Sequence, residues 1–521
     1  MPGPTSAGTG WKPVAPASLS RLSNLVASAA GSPVRASYSP MDGSLVGEVP
    51  ACTPSDVKNA VARVRAGQRT WAAVSIRERR AVVARFHRLL LRQEAQILDL
   101  VQAESGKSRL NAFEELADAA LTAAYYVRTA ERHLRPARRR GAAPGLTRTV
   151  EYRVPKGVVG IISPWNYPLT LAVSDAIPAL LAGNGVVLKP DSQTPFSALL
   201  ALELLREAGL PEDVFQIVTG DGTSLGPAII GGVDFLMFTG SSETGRIVGK
   251  QCADRLIGFS AELGGKNALL VLDDADIGRA ARGAAQACFS NSGQLCISIE
   301  RIYVHRAVYG QFLATFTGQV EALRLGAGPG WDIDMGPLTG RKQLERVNGH
   351  VQEALAKGAR LITGGRGRPD LGPLFYEPTI LADVTGDMLV AREETFGPVV
   401  AVYRVEDDDE AVALANDSPY GLNASVWSAR RGVGVGRRLL AGTVNVNDGY
   451  SAAWASHDAS MGGMKDSGAG RRHGRAGILK YTEAQTVAVQ RLLPVGTPPG
   501  MTNERYARLV RGAIKLMGRF P

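Results

Sequence analysis

One cysteine of the chain lies where a nucleophile would be placed. Cys296 follows Gly293, which permits tight backbone geometry, and precedes the β-branched segment ISIERIYV, which is typical of a strand. Its sulfur is therefore expected at the mouth of a strand, facing a cleft. A thiol becomes a nucleophile when its pKa is lowered or a base lies near it. Without such a partner a single cysteine is more often a small buried apolar residue, which is our interpretation of Cys52, Cys252 and Cys288.

Two further residues could complete such a site. Glu262 precedes a pair of glycines at the predicted entrance to a strand over 267–272, and a glutamate can activate water if burial raises its pKa towards neutrality. Asn166 lies between Pro164 and Pro168, so its amide could be held rigidly enough to donate to an oxygen that becomes negative during attack. Each has a purely structural alternative, a turn acid for Glu262 and a stiff loop with a capping residue for Asn166.

The composition limits the class of protein. A chain of 521 residues suggests about three folding units, and its 45% apolar and 21% charged residues are typical of globular proteins. Four scattered cysteines indicate a reducing compartment. The net charge of +10 comes without zinc-finger spacing or an RNA-binding motif, so we interpret it as surface solubility rather than nucleic-acid binding. No apolar run approaches a membrane span, and a cytoplasmic protein is expected.

Short apolar runs bounded by turn residues predict a sheet that would position these residues. Helix-like stretches separate the runs, a pattern that indicates parallel strands buried on both faces of a doubly wound α/β sheet. In such sheets ligands bind where the strands end. Upstream, helical periodicity over 76–104 predicts an amphipathic helix with one possible break and Gly106 as its stop. The five predicted strand regions are 157–164, 184–190, 214–220, 234–241 and 267–274.

The remaining segments predict a second α/β region and several peripheral elements. Alternating residues over 147–155 and 481–490 predict two strands outside either sheet, which pair with each other or with another subunit. Residues 1–20 are expected to form a mobile tail. The basic amphipathic segment 504–520 predicts a docked helix, with contact to a membrane surface as the less favoured alternative. The second region comprises helices near 308–324 and 341–357 and strands near 398–405 and 442–448.

Taken together, seven separated motifs resemble the aldehyde dehydrogenase superfamily in their order and spacing. The resemblance covers about residues 30–495 and is strongest to the NADP-dependent succinate-semialdehyde dehydrogenases, particularly the second actinobacterial type, through FSAELGGKN, GQLCISIERIYV and GPLFYEPT. The seven motifs are PWNYP, KPDSQTP, FTGSSETG, AELGGK, NSGQLC, EETFGPV and MGGMKDSGAGR.

This resemblance implies an aldehyde-dehydrogenase-like α/β fold: a Rossmann-like doubly wound cofactor domain, an α/β catalytic domain and a small β oligomerisation arm. It further implies a homodimer or homotetramer, joined through that arm. The implied boundaries are a tail over 1–20, a dinucleotide-binding domain over 21–137 and 156–264, a catalytic domain over 265–465, an arm over 138–155 and 478–495, and a basic C-terminal segment over 496–521.

The same resemblance implies a covalent mechanism without a metal. Cys296 would attack a small-molecule aldehyde to give a thiohemiacetal, whose oxyanion meets the Asn166 amide and the Cys296 backbone N–H. Hydride would then pass to a nicotinamide, and water deprotonated by Glu262 would hydrolyse the thioester to an acid. Because Glu262 is present, a CoA-acylating variant is less favoured. An inactive binding or structural relative would need a lost nucleophile or base, and the three catalytic positions are filled.

A set of cofactor residues is implied by the same likeness. Glu394 would hold the nicotinamide ribose. Ser192 stands where NAD-preferring relatives carry Glu, whose carboxylate repels a 2′-phosphate. Its replacement by Ser leaves Lys189 free to pair with phosphate, so NADP is the predicted cofactor and NAD a possible one. The full set is Trp165, Lys189, Ser192, Gly226, Gly240, Ser241 and Glu394.

The substrate is less well defined by the resemblance. Well-studied succinate-semialdehyde enzymes bind the distal carboxylate with two arginines, and these positions are Ser174 and Ser290 here. Burying a carboxylate without a cation costs several kcal/mol. Either another cation, Arg301 or Lys465, therefore serves, or the true substrate lacks the acid. We expect succinate semialdehyde, with an uncharged aliphatic or aromatic aldehyde as the alternative.

Overall fold

The computed structural model describes residues 14–141, 147–490 and 496–517. The helices are α1 (Pro16–Ser23), α2 (Pro54–Ala73), α3 (Ile76–Arg92), α4 (Glu94–Ser105), α5 (Arg109–Leu134), α6 (Thr170–Val173), α7 (Ala176–Leu181), α8 (Pro195–Glu207), α9 (Gly222–Gly232), α10 (Ser242–Asp254), α11 (Ile277–Phe289), α12 (Tyr309–Glu321), α13 (Arg341–Ala356), α14 (Leu389–Arg392), α15 (Asp408–Asn416), α16 (Gly432–Gly436), α17 (Ser451–Trp454), α18 (Gly474–Leu479) and α19 (Asn503–Met517).

The strands form two large sheets and three small ones. They are β1 (Val34–Tyr38), β2 (Leu45–Pro50), β3 (Ala137–Arg139), β4 (Thr147–Pro155), β5 (Val158–Ile162), β6 (Gly185–Lys189), β7 (Phe215–Ile217), β8 (Phe235–Thr239), β9 (Gly258–Glu262), β10 (Asn267–Val271), β11 (Ile299–His305), β12 (Arg360–Thr363), β13 (Thr379–Ala382), β14 (Val399–Val405), β15 (Tyr420–Gly421), β16 (Asn423–Trp427), β17 (Thr443–Val446), β18 (Met464–Lys465), β19 (Gly468–Ala469) and β20 (Thr482–Gln490).

The first large sheet has the order β19-β9-β8-β5-β6-β7. The five strands from β9 to β7 are parallel to one another, and β19 pairs antiparallel with β9 at one edge. Helices α2, α7, α9 and α10 pack against these strands, and strand β6 is buried along its whole length. The predicted doubly wound α/β class is confirmed, because buried parallel strands need helices to cover them.

Strand β9 corrects the expected position of Glu262. This residue does not stand at the entrance to the strand that begins at Asn267; it is the last residue of β9, a strand that was not predicted. The five residues GFSAE carry few β-branched side chains, so composition alone gives a weak strand signal. The strand forms because its backbone pairs with β8 over all five positions.

The second large sheet has the order β12-β13-β14-β11-β10-β16-β17. All of its pairs are parallel except that between β12 and β13. Helices α11 and α12 pack against each other and contact β11. In chain order Cys296 lies between β10 and β11, two neighbouring strands of this sheet, just before the entrance of the central, buried strand β11.

A third sheet of three strands lies outside both large ones. Strand β4 pairs with β20 antiparallel over nine residues, from Thr147 opposite Gln490 to Pro155 opposite Thr482, and β3 pairs with its other edge. The two alternating segments predicted from the sequence therefore pair with each other. Their side chains are largely exposed.

Local signals explain the N-terminal helices. Thr53 and Ser75 each form a reciprocal capping box at the start of α2 and α3, which satisfies backbone N–H groups that the helix cannot. The single break predicted in 76–104 lies at Gln93, and Gly106 ends α4 with a left-handed φ of 74°. Both features were predicted from periodicity and glycine placement.

The chain ends differ from expectation. Residues 16–20, predicted to lie in a mobile tail, belong to α1, whose Leu19 and Leu22 are buried in the core; residues 1–13 lie outside the described part. Helix α19 exposes Leu509 and Ile514 instead of docking on this chain, and residues 518–520 of that segment are not described. Among the described helices none is both long and apolar enough to cross a bilayer.

Candidate active site

The ends of four parallel strands bring most of the predicted site residues to one edge of the first sheet. Ile162 of β5 pairs with Lys189 of β6 and with Phe238 of β8, while Thr239 pairs with Glu262 of β9. The residues that follow these strands are Ser163 to Asn166, Asp191 to Thr194, and Gly240 with Ser241. Because parallel strands end at the same edge, these loops converge where α/β sheets bind ligands.

The turn before Cys296 depends on one glycine. Asn291 and Ser292 have left-handed φ values of 51° and 57°, and Gly293 follows with a φ of 70°. A Cβ atom on Gly293 would lie 2.1 Å from the carbonyl oxygen of Gly397, which no side chain tolerates. The sequence prediction of tight geometry at this position is therefore confirmed, since only glycine combines this φ with this approach.

The cysteine loop is tied to the asparagine loop. The amide nitrogen Nδ2 of Asn166 donates to the carbonyl oxygen of Gln294 at 3.0 Å, and that carbonyl also accepts from Asn291 Nδ2 at 3.0 Å. On the other side, Asn267 Nδ2 donates to the carbonyl oxygen of Cys296 at 2.8 Å. One of the two N–H groups of the Asn166 amide remains available for another acceptor.

A cavity of about 170 Å³ unites the candidate catalytic residues. Cys296 is half-buried, whereas Glu262 and Asn166 are buried. Of the predicted cofactor residues, four also line this cavity. The lining residues are Pro164, Trp165, Asn166, Leu171, Thr239, Gly240, Ser241, Glu262, Leu263, Gly264, Cys296, Gln343, Arg346, Glu394 and Phe396.

Glu262 has the electrostatics of a proton acceptor. Its Oε1 is buried and has no hydrogen-bond partner among the described residues. Burial raises the pKa of this carboxyl to about 7, although the positive charges of Arg472 and Lys480 oppose the rise. A carboxyl with a pKa near the working pH can both take and release a proton.

Cys296 is protonated in this environment. Burial, with the negative charges of Glu262 and Glu394, raises the pKa of the thiol to about 12. The thiolate is therefore a minor species at neutral pH when the cavity is empty of positive charge. Attack by this sulfur requires that the proton leave as the substrate binds or as the new bond forms.

A buried ion pair supports the asparagine loop and was not predicted. Lys107 is paired with Glu115, both fully buried, and its ammonium also donates to the carbonyl oxygen of Asn166 at 2.7 Å. Glu115 accepts from the backbone N–H groups of Leu169 and Thr170. The sequence carried no signal for this pair, because Lys107 and the loop at 166–170 meet only in the folded chain.

Lys189, Ser192 and Gly226 lie outside the cavity around Cys296, at the end of β6 and along α9. The buried ammonium of Lys189 donates to the Pro190 carbonyl oxygen at 3.1 Å and has no other partner among the described residues. The Ser192 hydroxyl donates to the Gly220 carbonyl oxygen at 2.9 Å. A Cβ on Gly226 would meet no atom within 4 Å. The Lys189 ammonium is buried and donates to only one acceptor among the described residues, so it could bind an anionic ligand such as a phosphate.

Glu394, which lines the cavity, offers a carboxylate suited to a ribose. Glu394 Oε1 accepts from the backbone N–H of Gly265 at 2.7 Å, and burial raises the pKa of this carboxyl to about 7. A Cβ on Gly264 would lie 2.7 Å from Glu394 Oε2, so the glycine pair that follows Glu262 is needed for this approach. Trp165 packs edge-on against Phe396 with ring centroids 5.5 Å apart.

The structure contradicts the expectation for Arg301 and Lys465. The Arg301 guanidinium is buried and donates to the carbonyl oxygens of Lys266, Leu414 and Ala415. The Lys465 ammonium donates to the carbonyl oxygens of two other residues at 2.8 and 2.9 Å. Neither residue lines the cavity that contains Cys296. Their cations serve backbone carbonyls instead.

Aromatic side chains, rather than a cation for the substrate carboxylate, lie next to the cavity. Tyr167 and Tyr450 each lie with their ring centroid 6.2 Å from that of Trp454, and we call these three residues the aromatic wall. Cys296 packs against the apolar cluster that contains both tyrosines, and so does the cavity residue Leu171. The phenolic oxygens of both tyrosines are buried without hydrogen-bond partners among the described residues. The aromatic wall does not itself line the cavity, but it lies next to it through Leu171 and Cys296.

The fold and the cavity define a class of enzyme. The sequence matches the aldehyde dehydrogenase family over residues 26–487, and the chain belongs to that family. It is an oxidoreductase that oxidises an aldehyde to a carboxylic acid, and the resemblance predicted from seven motifs is confirmed.

Individual proteins of this family are similar to the chain over most of its length. The chain is 53% identical over 477 residues to a Mycolicibacterium smegmatis protein that carries the provisional name succinate-semialdehyde dehydrogenase [NADP(+)], covering 90% of this chain and 92% of that protein. It is similar to the crystal structure of succinate-semialdehyde dehydrogenase from Burkholderia pseudomallei, with a TM-score of 0.85, 33% identity and coverage of 89% and 96%. An Escherichia coli NADP-dependent enzyme matches with a TM-score of 0.86, 33% identity and coverage of 89% and 97%.

Proposed function

We propose that this chain oxidises succinate semialdehyde to succinate with NADP+, through a covalent bond to Cys296. The observation that carries the covalent mechanism is the convergence of Cys296, Glu262 and Asn166 on one cavity. The substrate and cofactor are supported by the names of the relatives from Mycolicibacterium smegmatis and Burkholderia pseudomallei.

The first half of the reaction makes and oxidises a covalent adduct. The sulfur of Cys296 attacks the carbonyl carbon while its proton leaves, and Glu262, directly or through water, is the group able to take that proton. The carbonyl oxygen becomes an oxyanion that accepts from the free N–H of the Asn166 amide and from the Cys296 backbone N–H. Bound NADP+ would supply the acceptor for the hydride that this adduct loses when it becomes a thioester, and Trp165, Lys189 and Glu394 are among the residues that would hold it.

The second half releases the acid. Glu262, after passing its first proton to solvent, takes a proton from the water that attacks the thioester carbon. The carbon–sulfur bond then breaks and the sulfur takes that proton back, which gives the carboxylic acid and the free cysteine. The pKa of about 7 for Glu262 lets the carboxylate form exist at neutral pH and accept this proton. The absence of a hydrogen-bond partner for its Oε1 among the described residues leaves that oxygen able to receive a water.

The NADP preference is proposed from Ser192 and Lys189. A glutamate at 192 would repel a 2′-phosphate, whereas the neutral serine, whose hydroxyl donates to the Gly220 carbonyl oxygen, does not. The Lys189 ammonium uses one of its three donors among the described residues. Both residues lie at the end of β6, next to the loop that carries Asn166.

The direct test is a steady-state substrate panel with both cofactors. Succinate semialdehyde with NADP+ is expected to give the highest kcat/KM, measured by the absorbance of the reduced nicotinamide. The Cys296→Ala variant is expected to lose roughly 10⁴-fold or more, as removal of a nucleophile does elsewhere. Residual activity within tenfold of the parent in that variant would refute the covalent mechanism.

A second candidate substrate is favoured by the aromatic wall. Arg301 and Lys465 do not replace the family's carboxylate clamp at Ser174 and Ser290, because both are committed to backbone carbonyls. An uncharged aliphatic or aromatic aldehyde would instead bury its apolar end against these rings. Comparison of succinate semialdehyde with butanal and benzaldehyde separates the candidates, since a higher kcat/KM for either neutral aldehyde would select the second.

We also propose a cytoplasmic homodimer or homotetramer joined through the three-stranded sheet. Strands β4 and β20 expose apolar side chains, among them Tyr152, Val154, Val487 and Val489, and such surfaces are commonly covered by a second subunit. Light scattering on the purified chain would determine the number of subunits. Charged substitutions at Val487 and Val489 are expected to reduce it, and an unchanged mass would place the interface elsewhere.

A further inference from the structure

Three ionisable side chains meet in the interior outside the catalytic cavity. Asp118 lies on α5, His457 between α17 and β18, and His473 immediately before α18. Only 5 to 7% of each residue is exposed. One possible ligand atom of each lies within 4.8 Å of those of the other two. We call these residues the Asp–His–His cluster; none of them lines the cavity around Cys296.

Outer partners already orient two of the three side chains. His457 Nδ1 lies 3.0 Å from the carbonyl oxygen of Ala455, and its Nε2 lies 3.2 Å from Asp118 Oδ1. The other oxygen of Asp118 accepts from the hydroxyl of Thr170. Metal-binding histidines and carboxylates are usually held in this way, by a carbonyl behind one imidazole nitrogen and a donor behind the carboxylate.

The hydrogen bonds of His457 require a positive charge. A carbonyl oxygen only accepts, so Nδ1 must carry its hydrogen. An ionised carboxylate also only accepts, so Nε2 cannot face Asp118 with a bare lone pair. Either a second proton or a metal cation must lie between Nε2 and the carboxylate.

His473 supplies an independent observation. Its Nδ1 is buried and has no hydrogen-bond partner among the described residues, and an unpartnered buried polar atom is costly. Its backbone has a left-handed φ of 57°, and its ring stacks on that of His457 with centroids 4.6 Å apart. The fold therefore holds this imidazole beside the other two ligands without giving its nitrogen a partner.

We propose that the Asp–His–His cluster binds one divalent transition metal ion of the class that includes Zn²⁺ and Co²⁺. Two imidazoles and one carboxylate are a donor set that these ions favour over Mg²⁺ or Ca²⁺, which prefer oxygen. The ion replaces the proton between His457 and Asp118 and takes a ring nitrogen of His473 as its third ligand. A small inward movement of the ligands brings them to bonding distance.

Such an ion would fasten the catalytic loop to the C-terminal part of the fold. Asp118 holds Thr170, the first residue of α6, which follows the loop containing Asn166. His473 adjoins Arg472, which is paired with Asp175. Because binding to the folded state alone stabilises it, the metal is expected to raise the unfolding temperature.

The test uses the full chain with the Cys296→Ala substitution, purified without a polyhistidine tag and stripped with a chelator. The substitution removes the catalytic thiol as a rival ligand. Titration with Co²⁺ is expected to yield one bound ion per chain, with visible absorption bands that Zn²⁺ abolishes by displacement. The unfolding temperature is expected to rise with each of these two metals.

Matched histidine variants identify the ligands. His473→Gln and His457→Gln, in the same background, are expected to lose the Co²⁺ bands and at least tenfold in affinity. His133→Gln removes another buried histidine, which contacts Tyr125, and is expected to retain both. Circular dichroism of the stripped proteins checks folding.

Two results would overturn the proposal. Less than 0.2 Co²⁺ bound per folded parent chain at millimolar metal would show that a proton, not a metal, lies between His457 and Asp118. Unchanged Co²⁺ binding in both His473→Gln and His457→Gln would place the ion elsewhere. The first result needs no variant, so the proposal remains testable even if a variant fails to fold.

Discussion

The reacting end of the cavity and the aromatic wall differ in what positions their side chains. At the reacting end, backbone groups fix the positions of the side chains. The Gln294 carbonyl oxygen accepts from the Asn166 amide, and the Gly397 carbonyl oxygen leaves room only for a glycine at 293. At the wall, side chains from two segments that are distant in the sequence meet. We therefore expect the covalent chemistry, which depends on backbone geometry, to be shared across the family. The choice of substrate, which depends on side chains, can change by single substitutions.

Glu262→Gln is expected to cause the largest loss after removal of the cysteine. Loss of the general base should lower kcat by roughly 10²- to 10⁴-fold, because water is no longer activated; the thioester should still form, more slowly, as the thiol loses its proton to solvent. The parent rate of thioester hydrolysis should rise with pH through about 7, where the carboxyl loses its proton. Stopped-flow measurement between pH 5.5 and 8.5 checks this. If the rate of thioester hydrolysis in the variant still rises with pH near 7, the general base is a residue other than Glu262.

The same substitution should change stability in the opposite direction. The folded pKa of Glu262, about 7, lies above its ordinary value of 4.5, so the folded state binds more protons than the unfolded state between these values. Stability attributable to this group is present below pH 4.5 and is lost as pH rises to 7. Glu262→Gln is therefore expected to raise the free energy of unfolding at pH 8 by on the order of 1–3 kcal/mol, and to change it little at pH 4. Denaturant unfolding at both pH values measures this, with equal effects at the two values contradicting it.

Ser192→Glu tests the cofactor end of the site. A carboxylate at this position should reduce kcat/KM for NADP+ by roughly 10- to 100-fold, about 1.4–2.8 kcal/mol, because it repels the 2′-phosphate. NAD+ should be affected much less. Ser192→Gln is the matched control, since it has a similar size without the charge and should retain most of the NADP+ activity. An equal loss with both cofactors would show that the residue acts only on folding.

Ser290→Arg should have the smallest effect and bears on the aromatic wall. An added guanidinium is expected to raise the ratio of kcat/KM for succinate semialdehyde over butanal by about tenfold, the value of one modest charge-assisted contact. Ser290→Gln supplies length without charge and should leave the ratio unchanged. A parent ratio already far above unity, with no gain from arginine, would mean that hydroxyl groups suffice to bind the carboxylate.

Sequence reasoning succeeded where the requirement is local. Gly293 is demanded by a left-handed φ and one close carbonyl, and Gly106 by the end of a helix. It failed for Arg301, because a strand buried on both faces gives no pattern that says which way a side chain points. It also failed for Lys107, whose partners lie far away in the chain. Helix α1 was missed because its order comes from the burial of Leu19 and Leu22 against the rest of the fold.

The mechanism requires that the substrate carbon becomes bonded to the sulfur of Cys296. Glu262→Gln, mixed with NADP+ and aldehyde and quenched in acid, should show by peptide mass spectrometry one acyl group on the peptide that contains Cys296. Omission of NADP+ should abolish this acid-stable adduct, since no thioester then forms. An acyl group on another residue, or turnover by the parent without any adduct in the variant or in the parent's own steady state, would contradict the account.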